Sequence, residues 1–304
     1  MTSQQQPSLR VGAPLDLEWA RGAVRIALDE DLGGYPGRDV TSSATHANGA
    51  LVTARLMARQ AGVLAGLDLL GLVLEQVATR FDLPKPQVTA LAADGDRIVA
   101  GQPLAHITGQ TVVLLIAERT ALNLMSRGSG VASATRLWAD ELEGTGAMVL
   151  DTRKTTPGLR ELEKYAVRAG GGTNKRMGLY DVAMVKDNHV LAAGSVRAAI
   201  EAVRGLHPDV LIQVEADTEE QALEAVAAGA RFLLLDNMDD VVMAHAVAAI
   251  RALEPEVGKV ELEATGNLTL DRARSAAATG VDYMSVGALT HSAPILDLAL
   301  DFDA

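Results

Sequence analysis

Basic residues recur in this chain at one kind of place, directly after short apolar runs. "AMVLDTRKTT" delivers Asp151, Thr152, Arg153 and Lys154, and "VAMVKDNH" delivers Lys186 and Asp187. Carboxylates and glycines follow four more such runs: Glu215 and Asp217 in "LIQVEADT", Asp236 in "RFLLLDNM", Thr265, Gly266 and Asn267 in "VELEATGN", and Gly287 in "DYMSVGALTHS". Between the first two runs lies a further basic loop, "AGGGTNKR", with Asn174, Lys175 and Arg176. Arginine grips carboxylate or phosphate through its planar fork, and lysine supplies a compact charge. Glu215 and Asp236 are suited to Mg²⁺ beside a diphosphate, because that hard cation prefers carboxylates and water. Glycines just before helices leave backbone amides open to phosphate. The combined chemistry is that of a site for a large anionic substrate. Each piece also has a plainer reading: a solvated charge, an ordinary turn, or helix caps and loop braces for Asp151, Asp187 and Asp217. Joint occurrence at six successive places favours the anion-handling site.

Elements of a particular kind must place these residues. The six apolar runs lean towards β-structure, and Ala-rich helices are expected between them at 195–204, 218–228, 241–253 and 269–279. Strands alternating with helices indicate βα units and a parallel sheet. Polar groups at every strand's C-terminal end favour an α/β barrel, whose reactive residues gather at that rim. An open doubly wound sheet is the competing arrangement. Upstream, helices are expected over 17–31 and 67–81 and strands over 50–56, 88–91 and 97–107. A long helix over 112–142 carries Arg119, Arg127 and Arg136, with a glycine interruption at 128–130. The expected organisation is a disordered tail over 1–14, an N-terminal α/β domain over 15–111, and a barrel over 112–292. The tail 293–304 is a candidate to rejoin the first domain.

Composition narrows the partners. The 304 residues carry 27 Lys+Arg against 39 Asp+Glu, a net charge of −12. That balance opposes coating nucleic acid or an anionic membrane, and two Trp, four Tyr and three Phe leave few stacking platforms for bases. Residues 151–190 run the other way, with eight basic residues against five acidic ones. No cysteine is present, which removes disulfides, thiolate metal sites and cysteine nucleophiles and fits a reducing cytoplasm. No apolar stretch has membrane-span length, and the N-terminus lacks the pattern of a signal peptide. The six histidines lack zinc-site spacing, and His189 and His291 read as structural. "GSGVAS" lacks the third glycine of a dinucleotide fingerprint.

At "ERTALNLMSRGSG", "DTRKTTPGLRELEKYAVRAGGGTNKRMGLYD", "VKDNH", "VEADT", "LLDNM", "EATGN" and "GVDYMSVGALTHS" the chain resembles the quinolinate phosphoribosyltransferase family. "EDLGGYPGRDVTS" and "GVLAGL" extend the likeness upstream, so that it covers residues 17–292. The resemblance implies a pentosyltransferase that joins quinolinate to phosphoribosyl pyrophosphate (PRPP), releasing pyrophosphate and CO₂ and leaving nicotinate mononucleotide for de novo NAD synthesis. It implies an N-terminal α/β sandwich, an incomplete seven-stranded α/β barrel, and a homodimer in which Arg119 reaches the neighbouring site. Carried onto this chain, the substrate-binding positions are Arg119, Thr152, Arg153, Lys154, Lys175, Arg176 and Lys186. Glu215 and Asp236 serve substrate and Mg²⁺, and Thr265, Gly266, Asn267, Val286, Gly287 and Ala288 form the phosphate loops. Lys154, Lys186, Glu215 and Asp236 are the expected catalytic residues.

One departure stands in the basic loop, where the family usually has Asn-His-Arg and this chain has Asn174-Lys175-Arg176. Lysine keeps its charge near neutrality, where histidine titrates, so pH dependence and selectivity are the properties at stake. Two alternatives to the leading activity are a related PRPP-dependent transferase for another pyridine or azole acid and a non-catalytic phosphosugar-binding barrel.

Overall fold

The computed structural model describes residues 14–45 and 49–303, so residues 1–13 of the expected tail lie outside the described residues. The strands, in chain order, are β1 (Leu51–Ala58), β2 (Gly62–Val63), β3 (Gln87–Ala90), β4 (Arg97–Ile98), β5 (Pro103–Gln110), β6 (Met148–Leu150), β7 (Val182–Val185), β8 (Leu211–Ala216), β9 (Phe232–Asp236), β10 (Glu261–Thr265), β11 (Tyr283–Ser285) and β12 (Leu298–Phe302). The chain divides into two compact units. One is built from Leu137–Lys154 and Gly172–Leu289, the other from residues 14–136, Thr155–Gly171 and residues 290–303.

The second of these units holds a four-stranded antiparallel sheet, ordered β12-β1-β5-β3, and a small β2-β4 ribbon. β12 pairs with β1 from Ala54↔Phe302 to Ala58↔Leu298, so the C-terminal segment supplies an edge of this sheet. Helices Leu17–Leu32 and Leu67–Arg80 bury Val24, Leu28, Leu69 and Val73 in the same apolar cluster as Leu56, Ile107 and Leu114. Asp16 accepts from the Glu18 and Trp19 amides to start the first helix, and Gly33, at φ 75°, ends it.

The expected glycine interruption of the long helix does not occur: Thr111–Glu141 is helical throughout. The glycines there serve contact instead. A Cβ on Gly130 would stand 2.1 Å from the Pro294 carbonyl oxygen, and one on Gly128 3.0 Å from that of Ala65. Close backbone approach needs a residue without a side chain, and one helix absorbs the propensity cost. Next to these glycines, Arg127 donates to Glu163 Oε1 at 2.8 and 2.9 Å and to the carbonyls of Ala293, at 3.0 Å, and Thr290.

The other unit is a parallel sheet of six strands, ordered β6-β11-β10-β9-β8-β7. A lone parallel bridge, Leu150↔Thr173, adds a seventh position beside β6. Five strands follow one another in chain order from β7 to β11, and β11 then pairs with β6, the first. Chain order that runs monotonically and closes last on first is the winding of a barrel; a doubly wound sheet would reverse in its middle. The interruption lies between residue 173 and β7, where no ladder is formed among the described residues. The fold is therefore an incomplete α/β barrel with an N-terminal sheet domain.

Alternation along the strands separates two faces. Leu150, Phe232, Leu234 and Tyr283 form the interior cluster, with Met184 and Leu211 against it. Phe232 and Tyr283 stack with centroids 5.6 Å apart. Counting by two from these residues towards the C-terminal ends leads to Lys186, Glu215, Asp236 and Ser285, and Thr265 stands in register with Asp236. The barrel interior is apolar around this cluster, and charged side chains gather towards its C-terminal rim.

Candidate active site at the barrel rim

At the end of β6, Asp151 is fully buried and acts as a brace. Its carboxylate accepts from Asn174 Nδ2 at 2.6 Å and from the Lys175 amide at 2.9 Å. Beyond it, Thr152 Oγ1 accepts from the Lys154 amide at 3.1 Å, turning the chain so that Lys154 is exposed. Arg176 donates to the Val182 carbonyl at 3.0 Å. Burial, and then the positive charge of Arg153, pull the Arg176 guanidinium below the ordinary arginine range, against the opposing pull of Asp181. The half-buried Arg176 guanidinium therefore sits close enough to Arg153 for that positive charge to disfavour its own, a situation a nearby anion would relieve.

Carboxylates and lysines face each other on the next rims. Lys186 Nζ is ion-paired with Glu215 Oε2. Asp236 titrates above the usual carboxylate range, first through burial and then through the negative charges of Glu215 and Asp217, with Lys186 and Lys154 opposing. Lys154, Lys186, Glu215, Asp217 and Asp236 thus share one electrostatic neighbourhood. Asp187 opens the helix Asp187–Ala193, and Lys186 holds its N-cap position with its side chain paired to Glu215. Thr218, not Asp217, caps the helix Glu219–Ala227.

The glycine-bearing loop after β10 is fitted to Asp236. Gly266 has φ 82°, and a Cβ there would lie 2.3 Å from Asn237 Oδ1 and 2.8 Å from Asp236 Oδ1. Asn237 and Asn267 both adopt left-handed backbone, which asparagine tolerates better than most residues. Asn267 Nδ2 donates to Asn237 Oδ1 at 3.0 Å, and the Asn237 amide donates to the Thr265 carbonyl at 3.0 Å. After β11, the Val286 amide donates to the Leu150 carbonyl at 2.9 Å, and Gly287 leads into the short helix Ala288–His291.

The expected rim residues are thereby brought onto one barrel end, with two differences of detail. Lys175 is buried, and its Nζ meets Glu263 Oε1 at 2.5 Å and Ser285 Oγ at 3.4 Å. Arg119 lies on an exposed position of the long helix in the other unit. Sequence reading missed Glu263, which looks like an ordinary strand residue in "VELEATGN". The available signal was its parity, since it stands two residues before Thr265 and so shares the interior face. His189 accepts from the Lys186 amide at 3.1 Å through Nδ1, a structural contact.

Oxygen ligands, raised mutual repulsion and partial burial make the Glu215–Asp236 pair chemically compatible with Mg²⁺. Among the described residues no three potential metal-ligating side chains converge, so such an ion would complete its shell with water and substrate oxygens.

The C-terminal rim thus carries guanidiniums, a carboxylate–lysine cluster and glycine loops at one end of an incomplete α/β barrel. The chain matches the family "Quinolinate phosphoribosyl transferase, N-terminal domain" over residues 39–129 and its C-terminal domain family over residues 131–301. A nicotinate-nucleotide pyrophosphorylase [carboxylating] of Mycobacterium leprae is 44% identical over 286 residues, covering 94% of this chain and 98% of its own. Among solved structures, the nicotinate-nucleotide pyrophosphorylase of Francisella tularensis superposes with a TM-score of 0.84 at 32% identity, covering 95% of this chain and 98% of its own. NadC of Streptococcus pyogenes does so with 0.85 at 36% identity, covering 96% and 100%. The chain belongs to the quinolinate phosphoribosyltransferase family.

Proposed function

We propose that this protein transfers the phosphoribosyl group of PRPP to quinolinate, in the step that supplies nicotinate mononucleotide to de novo NAD synthesis. Membership of the family over both domains carries the reading. The quinolinate ring nitrogen forms a bond to C1 of the ribose as the bond from C1 to pyrophosphate breaks. The carboxyl group next to that nitrogen leaves as CO₂, its electron pair remains on the ring beside the cationic nitrogen, and water supplies the replacing proton.

Arg153 and Arg176 hold the substrate carboxylates, a reading supported by the disfavoured positive charge of Arg176 beside Arg153, which a carboxylate relieves. Lys154 and Lys186 hold the reacting anions, and the loops at 265–267 and 286–288 receive phosphate through backbone amides. Glu215 and Asp236 would hold Mg²⁺, which when bound neutralises the departing diphosphate. Positioning and charge neutralisation supply most of the rate in this scheme, since no side chain is needed as a proton-transfer base. The protein would act as a cytoplasmic homodimer with Arg119 completing the neighbouring site. Among the described residues no helix is long and apolar enough to cross a membrane.

The test is a direct assay. Purified protein with PRPP and Mg²⁺ consumes quinolinate and releases CO₂ and pyrophosphate in equal amounts. No consumption, beside a parallel enzyme that works, overturns the reading; turnover of nicotinate in preference to quinolinate would replace it with the related transferase.

A further inference from the structure

Inside the barrel, below the rim, lies a buried ion pair that the transfer chemistry does not use. Glu263 is fully buried in the middle of β10, and its Oε2 atom has no hydrogen-bond partner among the described residues. A buried carboxylate in that state needs a close counter-charge for its own charge to be tolerated, and the Lys175 ammonium at 2.5 Å supplies one. Lys175 in turn is held at its own backbone, where its amide donates to buried Asp151. The Nζ atom also reaches Ser285 Oγ at 3.4 Å.

These contacts join the roots of four rim segments, 152–154, 176, 265–267 and 286–288, and leave the three strand ends at Lys186, Glu215 and Asp236 outside. Asp151 precedes residues 152–154. Lys175 precedes Arg176. Glu263 stands two residues before Thr265, and Ser285 one residue before Val286. We propose that the Lys175–Glu263 pair is a positioning hub: it fixes the carboxylate-binding arginines and the two phosphate loops at a common spacing, and so sets affinity for the dicarboxylate substrate. Lys175 thus acts through its neighbours, as a positioning residue. The inference rests on the activity proposed above.

Two variants test it. Lys175→Met combined with Glu263→Gln removes both charges together, so that no lone buried charge remains to unfold the barrel. Glu263→Asp keeps both charges and withdraws the carboxylate by one methylene. Each is expected to melt cooperatively and to lose about 10- to 100-fold in kcat/KM, carried mainly by a raised KM for quinolinate, since small misplacements of positioning groups have effects of that size. Calorimetric titration with quinolinate and with inorganic pyrophosphate reads the same sites without turnover and should show weaker binding of both. A wild-type protein that neither turns over nor binds quinolinate removes the functional reading. The hub is overturned when wild type binds and turns over and either folded variant has the same KM, kcat and binding constants. If the double variant fails to fold, Glu263→Asp alone decides.

Discussion

Single side chains at the rim trade stability for chemistry. Lys186 is 41% exposed on its side chain, so its pair with Glu215 contributes little to folding. Its charge in a partly dry site is worth much more to a transition state that sheds diphosphate. Lys186→Ala is expected to lower kcat by about 10²- to 10³-fold while shifting Tm by no more than about 3 °C; steady-state kinetics and a thermal melt check both halves. Asp236 shows the opposite balance. Burial and its carboxylate neighbours raise its titration in the folded protein, so the folded chain holds that proton to higher pH than the unfolded chain does. The associated stability is present in acid and is lost as pH rises through the folded value. Asp236→Asn is therefore expected to lose activity yet melt about 1–3 °C higher at neutral pH. The gain should disappear at a pH where the wild-type carboxyl is already protonated, and melts across pH would show it.

At the scale of elements, two glycine positions show how close packing decides what a local sequence means. Gly128 and Gly130 sit in a continuous helix because other backbone passes there, which nothing in the local sequence could disclose. Gly266 is different: "ATGN" after an apolar run already pointed to a rim turn, and the structure supplies the reason for glycine in the Asp236 and Asn237 side chains. Gly266→Ala is expected to push Asp236 aside, costing about 1–3 kcal/mol of stability through its left-handed backbone and the contact. It should also cut kcat/KM by at least about tenfold, as small displacements at such a site do. A folded variant with wild-type kinetics would show that the loop does not set the position of Asp236. The apolar strand runs were legible because most of these parallel strands are buried on both faces, with β7 only partly enclosed. The run "FLLLD", with four fully enclosed residues before its carboxylate, shows this most plainly.

For the whole molecule, the contrast between an acidic body and a basic 151–190 segment is a matter of scale. The net charge of −12 repels polyanions, while clustered local cations attract small anions at short range, where screening is weak. If Arg119 serves the partner's site, two inactive proteins should repair each other. Arg119→Ala mixed with Lys186→Ala, after subunit exchange, is expected to regain up to about a quarter of wild-type activity, because half the dimers are mixed and each mixed dimer has one intact site. No recovery, with exchange demonstrated by differently tagged subunits, would place Arg119 outside the neighbouring site.

Composition and strand periodicity were enough to indicate an α/β chain with its polar residues at strand ends and to favour an anion-handling site, and the quoted motifs carried the resemblance to the family. Those properties depend on local pattern, since residue type and spacing along one strand decide which face and which end a side chain occupies. Tertiary structure alone decided the winding that closes β11 on β6, the unbroken passage of the long helix through its glycines, and the pairing of Lys175 with Glu263 across 88 positions of chain. Each of these depends on which distant segment lies alongside, and that is settled by packing in space and not by any one stretch of sequence.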